Sequence, residues 1–143
     1  MEAEEFMAAA LSKPVVDLGI VTMNIDEMTC FYRDVLGLPE LDRIRMGGVS
    51  ITRFRLGDAL LKMLVYDTAP ASTAAVGGIG ASTGIRYLTI SVDDLAELLA
   101  DCRESGIASV LKEPFEVESG TWIAFVTDPD GNTIEFVQRD DAA

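Results

Sequence analysis

Tyr87, Thr89 and Ser91 put a phenol and two hydroxyls on alternate positions of a short segment, Ile85–Val92, whose other row, Leu88, Ile90 and Val92, is wholly aliphatic. Side chains of a strand point alternately to its two faces, so the aliphatic row is expected to meet a helix and the hydroxyl row to face a wet pocket. A partly solvated sheet face with no ligand gives the same pattern. The rest of the chemical inventory is thin. Among 143 residues there is no histidine, so neither a Cys/His dyad nor a histidine-bearing zinc site can form. Cys30 and Cys102 each fall inside a predicted helix and outside any CxxC pair, and read as two buried, reduced thiols. Arg43 and Arg45 share a face of one predicted strand, and Arg53 and Arg55 a face of the next. A hairpin turning at Gly47-Gly48 would bring Asp42 near Arg53, where the two can pair. An anion-binding patch, a solvated outer face and a dimer contact all remain open for these arginines.

The charge balance limits the partners. With 24 acidic and 11 basic residues the formal net charge is −13, a surface that repels nucleic-acid phosphates and anionic membranes. Hydrophobic residues make up 49% of the chain, enough for a conventional core. No run approaches the roughly 20 apolar residues that span a membrane. The opening MEAEEF carries three glutamates in place of a basic signal start, so a cytoplasmic protein is expected.

The elements that must position these groups recur in order. Val15–Met23 reads as a strand, and Asn24 or Asp26 can cap a helix that runs to about Leu36 and stops at Gly37. Strands are predicted near Leu41–Met46, Val49–Leu56 and Ala59–Tyr66, with turns at Gly47-Gly48 and Gly57-Asp58. After Asp67–Gly84, a small-residue stretch that reads as a linker or mobile loop, the series repeats. Ile85–Val92 is a strand and Asp93–Ser105 a helix closed by Gly106. Strands follow near Ala108–Lys112, Thr121–Thr127 and Asn132–Gln138, the last two joined by the turn Asp128-Pro129-Asp130-Gly131.

The halves stand at a nearly constant spacing. Leu18 precedes Tyr87, and Gly37 precedes Gly106, by 69 residues; Lys62 precedes Glu135, and Gly57 precedes Asp130, by 73. A supersecondary unit repeated this way implies duplication. The expected fold is α+β, two βαβββ modules forming a curved mixed sheet around a central cleft, since a lone module leaves a sheet face bare. The expected boundaries are an N-terminal extension at 1–14, a first module at 15–66, a linker at 67–84, a second module at 85–138 and a tail at 139–143. Phe6, Met7 and Leu11, at helical spacing, suggest a short helix within Glu2–Leu11.

The segments DLGIVTMNIDEMTCFYRDVLGL (17–38), GIRYLTISVDDLAELLADCRESG (84–106) and FVTDPDGNTIEFVQ (125–138) resemble the vicinal-oxygen-chelate superfamily, which includes glyoxalases, bleomycin-resistance proteins and extradiol dioxygenases. The resemblance covers roughly residues 15–138. Enzymes of that family usually hold a divalent metal with one His, Glu or Gln from the first and last strand of each module. Carried onto this sequence, those positions are Leu18, Lys62, Tyr87 and Glu135, of which only Glu135 fits. Leucine offers no lone pair, a lysine ammonium repels a cation, and a phenol with a pKa of ~10 is a poor ligand at neutral pH. No metal and no other cofactor are therefore expected.

The resemblance implies three functions that stay open. The first is a binding protein for a small organic molecule, as in the bleomycin-resistance branch, with Leu18, Thr22, Phe54, Tyr66, Tyr87, Thr89, Trp122, Phe125 and Glu135 as candidate ligand contacts. The second is a metal-independent isomerase or lyase with Glu135 as acid/base, and Lys62 and Tyr87 as electrostatic and hydrogen-bonding groups. The third is a non-catalytic member whose pocket has collapsed, with Leu18 and Ile20 helping to fill it. Lys62 and Glu135 can also simply form an ion pair in place of the metal. Aromatic residues at strand positions are often plain core, and Phe31 and Tyr32 on the first helix read as packing residues. Family members commonly dimerise, so a homodimer is expected.

Overall fold

The computed structural model describes residues 10–140. Most of the predicted helix within Glu2–Leu11 lies outside the described residues. Strands β1 (Leu18–Val21), β2 (Ile44–Met46), β3 (Val49–Leu56) and β4 (Ala59–Tyr66) form one sheet in the order β1-β4-β3-β2. Strands β5 (Tyr87–Ser91), β6 (Ser109–Glu118), β7 (Thr121–Thr127) and β8 (Thr133–Arg139) form a second in the matching order β5-β8-β7-β6. In each sheet the first strand runs parallel to the last and the remaining neighbours are antiparallel. The parallel pairing needs a crossover, which a helix supplies in each case. This is βαβββ twice, an α+β fold.

The two crossover helices differ by one residue. Helix α2 (Leu95–Ser105) is regular: the Asp94 side chain caps it by accepting from the Glu97 amide at 3.0 Å, and Gly106 closes it at φ 72°. Helix α1 begins at Ile25–Thr29 and continues through a widened π turn over Cys30–Val35, where the Leu36 amide donates to the Phe31 carbonyl at 2.9 Å. Asn24 to Gly37 is one residue longer than Asp94 to Gly106, and a π turn takes up one extra residue without shifting either end.

One core serves both modules. Met28, Phe31 and Tyr32 of α1 and Leu95, Leu99 and Cys102 of α2 pack with Phe54, Leu61, Met63, Val126, Ile134 and Phe136 from the sheets. Each large side chain buried there contributes about 1.5–3 kcal/mol relative to its exposed state. Leu18, Ile20 and Leu88 pack against this cluster, so the helix-side rows of both sheets meet in it. The opposite row of each sheet, its concave side, is mixed: Tyr66 and Tyr87 are exposed there, whereas Ile123 and Val137 are buried.

Two elements differ from expectation. Strand β6 runs to Glu118, well past Lys112, through Pro114 and several register shifts against β7. It is an edge strand, where a proline and bulges are tolerated and the charged run offers no apolar alternation to read. The stretch between β4 and β5 contains one short helical turn, Ile79–Ala81. Arg86 pins it by donating to the carbonyls of Ile79 and Gly78 at 2.9 and 2.7 Å. No helix among the described residues is long and apolar enough to cross a membrane.

Candidate functional site

The second sheet offers a compact polar and aromatic surface. Phe125 and Glu135 are cross-strand partners, and Glu135 also lies beside Thr89. The Thr89 hydroxyl donates to Glu135 Oε1 at 2.7 Å, which fixes one carboxylate oxygen and leaves the other available. Tyr87 stands edge-on to Phe125, ring centroids 5.9 Å apart, and is 45% exposed. Tyr87, Thr89, Phe125 and Glu135 thus share one open face, as alternation predicts.

The first sheet has the opposite character. Lys62 pairs directly with Arg53 on β3 and with Gly19 on β1, and Arg55 lies two positions from Arg53 on the same face. Tyr66, 47% exposed, is on this face at the end of β4. Arg53 Nη2 donates to the Asp42 backbone carbonyl at 2.9 Å; the expected contact with the Asp42 side chain is not the one made. Arg45, on the other face, pairs with Asp67.

Several candidate residues sit elsewhere. Phe54 is fully buried with its ring 6.3 Å from that of Tyr32, and Trp122 packs against the core. These two belong to the helix-side rows because their parity along β3 and β7 is opposite to that of Arg53 and Phe125. Leu18 and Ile20 pack against the core and also line the cavity that Tyr87 borders. Thr22 is buried at the junction of the modules, its hydroxyl donating to Asp130 at 2.5 Å. Among the described residues Lys62 and Glu135 form no ion pair. Leu18 and Tyr87 line one cavity between β1 and β5, while Lys62 and Glu135 lie on the concave rows of different sheets.

The extra residue in α1 explains the misplacement of Leu18. A spacing of 69 holds at the closing glycines, but the helix starts, Asn24 and Asp94, are 70 apart, and so are the strands before them. Leu18 then corresponds to Leu88, both on the core, and Gly19 to Thr89, the residues paired with Lys62 and Glu135 respectively. The counterpart of Tyr87 is Asp17, which the sequence reading missed. The signal was there, in matching the two helix N-caps in place of the two glycines. The Asp17 carboxylate accepts from Lys13 Nζ at 2.9 Å and from the Leu60 amide at 2.8 Å. These two bonds, with a smaller attraction from Lys62, hold its carboxyl below the usual range.

The donors at the corrected positions are Asp17, Lys62, Tyr87 and Glu135. Asp17 is already engaged, Lys62 brings a positive charge, and the described residues contain no group of three His, Cys, Asp or Glu side chains able to take a metal ion. Tetrahedral and octahedral sites need at least three donors, so these residues do not fit the divalent metal that the resemblance implies.

Two cavities adjoin the open faces. One of about 310 Å³ lies between β1 and β5, with Leu18, Gly19, Val21, Arg86 and Tyr87 in its wall. The other, about 400 Å³, is lined by Thr22, Asp130 and the segment around Pro70–Ala74. Among the described residues the Thr22–Asp130 bond beside it is one of two side-chain hydrogen bonds between the modules. The second is buried: Tyr32 Oη donates to Asp128 Oδ2 at 2.7 Å, and Asp128 also accepts from Asn132 Nδ2 and from the amides of Asp130 and Asn132. Burial pushes the Asp128 carboxyl up against the pull of these bonds, and burial beside Asp128 pushes the Tyr32 phenol well up.

Comparison with known proteins agrees with this architecture. Lactoylglutathione lyase of Neisseria meningitidis is 30% identical over 81% of this chain and 83% of its own length. A lactoylglutathione lyase of Arabidopsis thaliana is 43% identical, but over 40% of this chain and only 20% of that longer protein. The solved glyoxylase/bleomycin resistance protein/dioxygenase domain from Frankia superposes with a TM-score of 0.75 at 20% identity, covering 94% of this chain and 96% of that one. The family model "Glyoxalase/Bleomycin resistance protein/Dioxygenase superfamily" matches residues 15–136, and with the twofold βαβββ fold this places the chain as a member of that superfamily.

Proposed function

We propose that this protein binds a small organic molecule on the concave faces of its modules, without the divalent metal usual in the family. The observation that carries the reading is the exposed pair Tyr87–Phe125 standing beside Thr89–Glu135: an aromatic wall next to a carboxylate with one free oxygen. Such a surface suits a ligand with both an apolar and a hydrogen-bonding part. Three of the four positions where the family carries metal ligands hold groups that are engaged elsewhere or are poor donors, which supports metal independence. Tyr66 and Tyr87 are exposed in the single chain, and we propose that a second copy closes the cleft, the first sheet of one chain meeting the second sheet of its partner. Unpaired Cys30 and Cys102 suit a cytoplasmic setting.

The first ligand to test is S-lactoylglutathione, whose name the relatives carry. Titration calorimetry after exhaustive chelation is expected to show saturable binding that added metal does not change. Tyr87→Ala is expected to weaken it by roughly 3- to 10-fold, the value of an aromatic contact of about 0.5–1.5 kcal/mol. Binding that appears only once metal is restored would sink the proposal.

A second reading, a metal-independent isomerase or lyase, is favoured by the same Thr89–Glu135 bond, which orients the carboxylate to take a proton. It requires thioester formation or cleavage, followed by absorbance, that resists chelation and is abolished in Glu135→Gln. Unchanged turnover in that variant would leave Glu135 without the acid/base role.

A further inference from the structure

We propose that Arg53, Arg55 and Lys62 form an oxyanion subsite that takes the carboxylate or phosphate of a bound organic anion. The proposal rests on the reading of the concave faces as the ligand site and adds the chemical class of the ligand. Arg53 and Lys62 are direct cross-strand partners, so two positive charges face each other at the shortest side-chain spacing a sheet allows. Like charges placed so destabilise a sheet unless an anion lies between them. Arg55 adds a third positive charge on the same face.

The protein had ample means to neutralise them. The chain holds 24 acidic side chains for 11 basic ones; Lys13, Arg45 and Arg103 each pair with one, and Arg33 with both Asp34 and Glu40. Among the described residues Arg53, Arg55 and Lys62 pair with none. The nearest acid by position, Asp17, is bound by Lys13 and the Leu60 amide. Even if Glu135 of a facing copy reached the cluster, two positive charges would remain.

The geometry favours recognition over a diffuse field. The Asp42 carbonyl anchors the Arg53 guanidinium through Nη2, and Nε is buried without an acceptor, so the plane is held while its remaining amino group stays free. A guanidinium fixed in this way presents the fork that matches carboxylate and phosphate oxygens, with the lysine as an added point charge. Ile51, Leu60 and Leu64 share the face and are half-buried, which lowers the local dielectric and strengthens the attraction.

The test uses inorganic phosphate and succinate as probes, at constant ionic strength set with sodium chloride. Melting temperature and calorimetric affinity are read for the full chain and for Arg53→Gln, Lys62→Gln and Arg45→Gln. A saturating response is expected in the unmodified protein and in Arg45→Gln, which loses the same charge from the other face. A loss of at least tenfold in affinity is expected in the other two variants. The stronger probe tells which oxyanion the ligand carries. No response beyond that to chloride, or an equal response in Lys62→Gln, overturns the subsite. S-lactoylglutathione binding that survives both substitutions also overturns it while leaving the cleft reading intact. S-lactoylglutathione binding unchanged in Tyr87→Ala, with the phosphate response kept, has the reverse meaning: the subsite stands and the reading of the aromatic wall falls.

Discussion

Tyr32 and Asp128 show how much a single contact can decide. The phenol donates to a carboxylate that is only 3% exposed, and together they join the first helix to the last hairpin. Tyr32→Phe removes a charge-assisted donor from a buried acceptor, so a loss of about 1–3 kcal/mol is expected in urea unfolding. The pH dependence follows from the raised phenol value. The contribution is complete below the unfolded tyrosine value of ~10 and is lost as pH rises toward the folded one. The protein is therefore expected to lose stability above about pH 10, less steeply in Tyr32→Phe. At the same scale, burial pushes the Cys102 thiol up to about 11 while Cys30 is exposed. Alkylation of the native protein at pH 8 is expected to mark Cys30 alone, checked by peptide mass. Parity along a strand was legible where polar and apolar residues alternate cleanly, as in β5, and Tyr87, Thr89 and Glu135 do share one face of the sheet. It was not legible for Phe54 or Trp122, because an aromatic side chain suits either face of a half-buried strand.

At the scale of elements, capping and helix length carry the argument. Asp94 caps α2 through the Glu97 amide, and Asp94→Ala is expected to cost about 1 kcal/mol by thermal or urea unfolding. Asn24, in the matching place, makes no such cap. Strands β3, β4 and β7 were readable to the residue from their glycine turns and apolar alternation. The π turn was not, because its signature is one additional residue whose effect is seen only when both ends of the helix are matched independently. Taking the glycines as the common origin shifted the first strand by one, and in a strand one step exchanges the faces. That single step put Leu18 where Asp17 belongs and hid a carboxylate from the candidate site.

Over the whole molecule, the duplicated halves share a core but not a surface. The first module turns three cations outward, the second a carboxylate and two aromatic rings, on a chain of net charge −13. Self-repulsion at that charge opposes compaction and is screened by salt. Melting temperature is accordingly expected to rise by a few degrees between low salt and 0.5 M sodium chloride, and a fall would contradict this account. The twofold fold was legible because the order of elements repeats. The placing of the cations on one sheet and of the carboxylate and rings on the other was legible from parity, but how the two modules sit together was not, since pairing within a module does not determine it.

The irregular course of β6 bears on how the protein survives crowding in a cell. It is the longest strand and forms the border of its sheet, the place where unsatisfied amides invite a neighbouring molecule to add on and start a fibril. Pro114 removes one such donor, the register shifts twist the border out of flatness, and Lys112, Glu113, Glu116 and Glu118 load it with charge. The far border of the other sheet is guarded by brevity, since β2 has only three residues. These two rims are thereby poor templates for polymer growth, each for a different reason: one is bent and charged, the other too short.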